Sequence, residues 1–207
     1  MTKKTLLKQF AKLAAATVYE ANGKRGDMAP AIRQMVPGTR LFGPAFTVRC
    51  LPGDFAAVLR AIDRARRGDV LVIDAGGSDR VTALGGTSSR AAKRRGLAGA
   101  VVNSACRDID EVRAMRFPVY ALGASVRGTL KNHPGWLQVP VSVGGTIVKP
   151  GDLVLGDADG VVVVAKDSIA RVAKAALAQL ATERMRERQV RAGTSLVEMF
   201  RLESLES

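Results

Sequence analysis

Aromatic side chains are scarce in this chain: one tryptophan, two tyrosines and six phenylalanines make up 4% of it. Proteins that stack single-stranded bases interleave aromatic with basic residues, and no such stripe occurs. Two cysteines, Cys50 and Cys106, are too few for a disulfide framework, so a reducing cytoplasm is the expected compartment. The one histidine, His133, lies far along the chain from Cys106, which leaves that thiol without a base beside it in sequence. No apolar run approaches the roughly 18 to 20 residues that cross a bilayer, and no membrane partner is expected. The opening MTKKTLLKQFAKLAAATVYE is basic and acid-poor but has no small-residue cleavage site behind an apolar core. It reads as a first helix, not as a targeting peptide.

What is present is a chain of 207 residues, 47% apolar, with 21 glycines. That mix fits tightly packed α/β layers, and the length allows one large domain. The net charge is +13. Such a balance concentrates anions near the surface. The basic residues are spread along the whole chain and mixed with acids toward the C-terminus, so they read as a solvated basic surface. Anionic small molecules fit it, and nucleic acid is not expected as a partner.

Apolar spacing predicts a helix over residues 4–20 and a short helix or turn over 28–36. The segment GPAFTVRC, 43–50, alternates behind Gly-Pro and reads as a strand. A helix follows, opened by Asp54 in a capping position and closed by Gly68. VLVIDAGG, 70–77, is a buried strand with a glycine stop. SSRAAKRRG is a helix ending at Gly96, 99–103 is the next strand, IDEVRAM a helix and PVYALG a strand. Strand and helix alternate, which argues for parallel pairing through the middle of the chain. From 139 onward Gly-Gly, Pro-Gly-Asp and Asp-Gly punctuate short β-rich runs, so hairpins should close or extend the sheet. A long charged helix over about 167–191 breaks at Gly193. No low-complexity linker divides the chain, and residues 1–207 are read as a single domain.

Two segments carry candidate chemistry. In LGGTSSRAAKRRG, Gly85 and Gly86 free the backbone, and Thr87, Ser88 and Ser89 occupy the first turn of a helix. Unpaired amides there, at the positive end of the helix dipole, make a cradle for a carboxylate or phosphate. The same residues also make an ordinary capped turn, and no G-K-[ST] closes the loop as a P-loop requires. In GLAGAVVNSACRDIDEV, an apolar strand ends and Arg107 and Asp108 follow side by side. A helix cap with a salt bridge is one reading; a metal and substrate site is the other. Both segments lie where a parallel strand hands over to a helix, and ligands of such sheets sit outside the carboxyl ends of strands. An amide cradle, an arginine and an aspartate able to hold a hard cation are the equipment for stabilising an enolate. Magnesium or manganese suits such an oxygen-only site.

The segments GPAFTVRC, GDVLVIDAGG, GGTSSRAAKRRGLAGAVVNSACRD and PGDLVLGDADGVVVV together resemble the RraA-like family. That family holds regulators of ribonuclease E activity and 4-hydroxy-4-methyl-2-oxoglutarate aldolases, and its members often carry the label demethylmenaquinone methyltransferase. The likeness runs over residues 14–193. It implies an α/β fold with a swivelling-domain-type β-core over about 14–165 and a C-terminal helix for oligomer contacts. It also implies assembly as a trimer or a dimer of trimers, with sites at subunit interfaces. By the same resemblance Asp108 would bind a divalent metal and Arg107 the 2-keto oxygen, and the amides of Thr87 and Ser88 would cradle the substrate carboxylate. Glu183 of a neighbouring subunit would reach the metal through water. Position 86 is one where aldolases of the family often place an acid, and this chain has glycine there. Asn103 likewise departs from a frequent aspartate.

The resemblance therefore implies a magnesium- or manganese-dependent lyase that cleaves 4-hydroxy-4-methyl-2-oxoglutarate or a related 2-keto acid to pyruvate. Decarboxylation of oxaloacetate uses the same electron sink. The alternative is a non-catalytic regulator that binds an RNA-degrading enzyme. A methyltransferase finds no support, because no glycine-rich cofactor fingerprint is followed by a ribose-binding acid. His133 and Trp136, between Pro and Gly, read as a loop or interface anchor, and Asp157 and Asp159 as a tight turn lacking calcium-loop spacing. Asp74 and Asp79 remain unplaced by the sequence.

Overall fold

The computed structural model describes residues 3–202, with side chains from Leu7 onward. Where one opening helix was expected there are two, α1 (Lys3–Phe10) and α2 (Ala15–Ala21). The break has a polar cause. The Asp157 carboxylate accepts a hydrogen bond from the Ala15 amide at 2.8 Å, starting a new helix there with an acid at its positive end. Residues 28–36 are turn, with the two-residue strand β1 (Arg33–Gln34).

The parallel middle is as expected. Strands β2 (Leu41–Arg49), β3 (Val70–Leu84), β4 (Gly99–Cys106) and β5 (Val119–Ala121) pair side by side in parallel. Helices α3 (Ala56–Arg64), α4 (Gly86–Arg94) and α5 (Ile109–Ala114) make the crossovers. β3 does not stop at its glycines. Gly76 and Gly77 take φ of 88° and 76°, and the register against β4 shifts after Ile73 and again after Ser78. Glycine acts here as a bulge that lets the strand run on to Leu84, opposite Cys106. Two short strands, β6 (Gly123–Ala124) and β7 (Trp136–Leu137), extend the pairing of β4 and β2.

The second half supplies hairpins. β8 (Val141–Val143) and β9 (Thr146–Val148) form one; β10 (Leu153–Asp157) and β11 (Gly160–Val164) form another, and β10 joins β2 in antiparallel fashion. The sheet order is β1-β5-β4-β3-β2-β10-β11. Because successive strand residues face opposite ways, β3 feeds two cores. Leu71 and Ile73 pack with Val58, Ala61, Ala92 and Val112 of the helical layer, while Val70 and Val72 pack with Val141, Val143 and Val148 of the hairpin. A third core joins β10 and β11 to α1, α2 and α6 (Ile169–Arg191) through Leu155, Val162, Val172 and Ala176. Beyond Ala176 no residue of α6 is buried, and α7 (Leu196–Phe200) follows past Gly193 with Leu196 and Phe200 exposed. Among the described residues no helix is long and apolar enough to cross a membrane.

Candidate active site

The parallel pairing of β3 and β4 brings both candidate segments to one end of the sheet. Arg107 follows β4, and its amide donates to the Leu84 carbonyl at 3.0 Å, so the strand ends are tied together where α4 and α5 begin. Asp108 sits at the start of α5 with φ 55° and ψ 41°. Aspartate is one of the few residues that visits this left-handed region readily, and strain of this kind gathers at functional sites. The turn swings its carboxylate back onto α4: the Gly86 amide donates to Asp108 Oδ2 at 2.9 Å, and Arg107 Nε lies 3.6 Å from the same oxygen.

Gly85 is required by close approach, not by backbone torsion. A Cβ there would lie 3.0 Å from Arg107 Cγ and 3.0 Å from Asp108 Oδ2. The Ser88 hydroxyl accepts from the Gly85 amide at 2.9 Å and donates to the Gly85 carbonyl at 3.0 Å, which locks the first turn of α4. With the Gly86 amide given to Asp108, helical geometry leaves the amides of Thr87 and Ser88 without an intrahelical acceptor. These are the donors of the expected cradle.

A cavity of about 420 Å³ opens over this end of the sheet. Gly85, Thr87, Ser88, Arg107 and Asp108 all line it, so five of the six cradle and pair residues expected from sequence converge on one space. The remaining cradle residue, Gly86, lies directly behind Asp108 and is not on the wall. Phe55, Leu59, Leu84 and Ala91 give the cavity an apolar side. Asp108 is the one acid on the wall, and neither histidine nor cysteine joins it. Among the described residues no group of three or more His, Cys, Asp or Glu side chains gathers in a way that could hold a metal by itself. A single carboxylate of this kind suits a hard cation that keeps most of its water.

The sequence reading missed part of the wall, which Gly128, Thr129 and Lys131 supply. Lys131 lines the cavity and its ammonium lies 5.5 Å from the centre of the Phe55 ring. This loop has no periodicity to read, and its position rests on distant bonds. The Thr82 hydroxyl donates to the Arg127 carbonyl at 2.9 Å. The buried Asp54 carboxylate accepts from the amides of Asn132 at 2.6 Å, His133 at 3.0 Å and Ala56 at 2.9 Å. Burial alone would raise the pKa of Asp54, but these three amides hold it below the ordinary carboxylate range. Asp54 therefore stands one residue before the N-cap, Phe55, and not at the cap itself; it binds the first amide of α3 and also clamps the loop that carries Lys131.

The remaining candidates fall outside the cavity. Glu183 lies on α6, where it accepts a hydrogen bond from the Thr17 hydroxyl at 3.1 Å, so a single chain does not bring it to Asp108. Asp74 lies near Asn103, 3.5 Å away, and neither it nor Asp79 lines the cavity. His133 stacks on Trp136 at 5.2 Å and accepts from the Gly135 amide, a loop anchor as expected. Asp157 and Asp159 form the tight β10–β11 turn. Burial, with the Asp108 charge adding to it, pushes the Cys106 thiol up to about 12, which leaves it neutral and without nucleophilic use.

A family model described as RraA-like, Aldolase/RraA, matches residues 15–163. The chain belongs to that family. A Halalkalibacterium halodurans relative, provisionally named 4-hydroxy-4-methyl-2-oxoglutarate aldolase, is 36% identical over 182 residues, 88% of this chain and 87% of its own. An uncharacterised Pseudomonas syringae pv. tomato protein has a crystal structure that superimposes with a TM-score of 0.81 at 31% identity, over 94% of this chain and 96% of that one. Streptomyces coelicolor RraAS2, described as an unusual member of the RNase ES inhibitor RraA protein family, superimposes with a TM-score of 0.79 at 29% identity, over 90% and 97% of the two chains. The RraA-like fold expected from the four sequence segments is thus the fold observed, and the family's match spans the sheet, both strand-to-helix turns and the cavity between them.

Proposed function

We propose that this RraA-like protein is a divalent-metal-dependent lyase that releases pyruvate from a 4-hydroxy-2-keto acid such as 4-hydroxy-4-methyl-2-oxoglutarate. The observation that carries the reading is the convergence of Arg107, Asp108, the 85–88 amides and Lys131 on one cavity. The name of the Halalkalibacterium halodurans relative supports the same reading.

Asp108 would hold magnesium or manganese; when bound, the ion supplies Lewis-acid polarisation of the 2-keto oxygen. The amides of Thr87 and Ser88 receive the 1-carboxylate at the positive end of α4. Arg107, permanently charged, faces the keto oxygen and favours the state in which negative charge grows there. Lys131, which also lines the cavity, takes a second carboxylate of the substrate. Phe55, Leu59 and Leu84 keep water from the carbon skeleton and strengthen each of these contacts. In the reaction the 4-hydroxyl loses its proton, the C3–C4 bond breaks, and C3 of the departing pyruvate gains a proton. The same charge arrangement would let oxaloacetate lose carbon dioxide. Glu183 of a second copy of the chain would complete the site, and we propose a trimer or hexamer built through the exposed half of α6.

Pyruvate release from 4-hydroxy-4-methyl-2-oxoglutarate and from oxaloacetate tests this, with magnesium, with manganese and with excess chelator. Turnover is expected with metal, and not with chelator or in Asp108→Ala. No release of pyruvate by the folded protein with either substrate would count against the lyase and favour the family's other role, a protein that binds and restrains an RNA-degrading enzyme.

A further inference from the structure

Strands β2 to β5 run parallel, so the helices that cross between them run the other way. α3, α4 and α5 begin beside Phe55, Gly85 and Asp108, on the cavity, and end together at the far edge of the sheet. Over the nine residues of α4 that separation is roughly 13 Å. The far edge is basic. Arg66 and Arg67 follow α3, Lys93, Arg94 and Arg95 close α4, and Arg116 follows α5; all six side chains are exposed. Residues scattered along the sequence are thus gathered on one rim, and they join its three parts. The Gly68 amide donates to the Gly96 carbonyl at 2.8 Å, and a Cβ at Gly96 would lie 2.9 Å from Arg67 Cγ. The Arg95 guanidinium donates to the Asp63 carbonyl on α3, and the Lys93 ammonium to the Met115 carbonyl at the end of α5.

A cation in the last turn of a helix complements its dipole, which explains Lys93 and Arg94. It does not explain Arg66, Arg67 and Arg116, which stand past the helix ends. Arg116 takes φ 52° just after the cap of α5, where glycine is usual, and its guanidinium donates to the Gly38 carbonyl at 2.9 Å. Bonds to neutral carbonyls hold these side chains in place without cancelling their charge. Among the described residues none of the six pairs with an acid, whereas Arg90, earlier on α4, is paired with Glu111 at 3.2 Å. Of the two acids near the end of α3, Asp63 and Asp69, the second accepts from the Arg66 amide at 2.8 Å. No large apolar side chain is exposed on this rim, so a protein partner would find none of the anchors on which such interfaces depend. We infer that the rim binds the sugar–phosphate backbone of a duplex nucleic acid, without regard to sequence. Three helix ends side by side span about 25 Å, over which one strand of a duplex presents about seven phosphates. Backbone contacts need no aromatic side chain, so the scarcity that argues against base stacking does not bear on this surface.

Titration of the full chain with a short fluorescent duplex tests this at several salt concentrations. With about five phosphates neutralised, affinity is expected to fall about 500-fold between about 50 and 200 mM salt, and equally for two unrelated sequences. Arg66→Gln/Arg94→Gln, with an unchanged thermal melt, is expected to bind more weakly and to fall only about 40-fold over the same range, since two phosphate contacts are gone. Arg171→Gln/Lys174→Gln removes the same charge from exposed positions on α6, outside the rim, and is expected to behave as wild type. RNA and DNA duplexes of one sequence show which nucleic acid is preferred; tighter binding of either supports the inference. No binding at about 50 mM salt would overturn it, and so would an α6 variant as weakened as the rim variant, which would make the attraction a property of the net charge. Polyglutamate that displaces the duplex at equal charge concentration would also overturn it, in favour of an acidic protein segment as the partner.

Discussion

Replacing Asp54 should loosen the loop that brings Lys131 to the cavity, and the size of the effect can be worked from its bonds. The carboxylate accepts from three backbone amides, two of them on residues 132 and 133. Hydrogen bonds to a charged group contribute about 1.5–3 kcal/mol each, but the three are not additive. Asp54 also lies beneath one loop, not deep in the core, so water screens part of the interaction and re-solvates freed amides. Asp54→Ala should therefore cost about 3 kcal/mol at neutral pH. With a urea m-value of about 2–3 kcal/mol/M for a chain of this size, the unfolding midpoint should fall by about 1 M. Both proteins must be compared at one concentration, because the proposed assembly would add to apparent stability. The pH dependence fixes the mechanism. The folded-state pKa is lowered, so the stabilisation is present above the unfolded value of about 3.9 and is lost as pH falls through the folded one. The difference between wild type and Asp54→Asn should then shrink as pH is lowered from about 5 toward 3. An unchanged midpoint for Asp54→Ala at pH 7, or a difference indifferent to acid, would refute the clamp.

Arg107→Ala should lower kcat for pyruvate release by about a hundredfold or more, the usual loss of one group aimed at developing negative charge, and Arg107→Lys should not fully restore it because a guanidinium and an ammonium are not interchangeable. Steady-state kinetics beside a thermal melt separates this from misfolding. Lys131→Met should raise KM for substrates with a second carboxylate while leaving those without one nearly unaffected; equal effects on both would remove Lys131 from substrate binding. Cys50 and Cys106 are buried, with thiols pushed up to about 12 chiefly by burial. Neither should react with a thiol reagent at pH 8 in the folded protein, and both should react once it is unfolded.

The parallel sheet and its crossovers were legible because strand and helix differ in period and each turn carries its own punctuation. Gly96 and the Pro-Gly and Asp-Gly turns fall where the chain reverses. Gly76 and Gly77 misled because glycine marks a stop and a bulge alike; only pairing with β4, fixed by residues far along the chain, decides between them. The break between α1 and α2 was hidden for the same reason, since the acid that starts α2 is Asp157. Arg107, Asp108 and the 85–88 turn could be found because each sits beside a readable strand end. Lys131 could not, because its loop is held from afar: by Asp54 and Thr82, whose bonds to it span 78 and 45 residues of sequence.

A missing side chain is as much a part of this site as those present. Gly85 lets Arg107 and Asp108 lie against α4, and a Cβ at Gly128 would come within 3.3 Å of Arg107 Nη1. The guanidinium thus runs through a slot that exists because two positions carry no side chain, while the left-handed turn at Asp108 sets the carboxylate beside it. Glycine at 86 belongs to the same pattern. Read along the sequence it is a place with no acid; read in space it is a gap that the carboxylate of Glu111, from the next helix, borders, 2.7 Å from where a Cβ would stand. Counting residues from the Arg-Asp pair cannot distinguish the two, because chain order records which position lacks a carboxylate and not which neighbouring carboxylate occupies the gap.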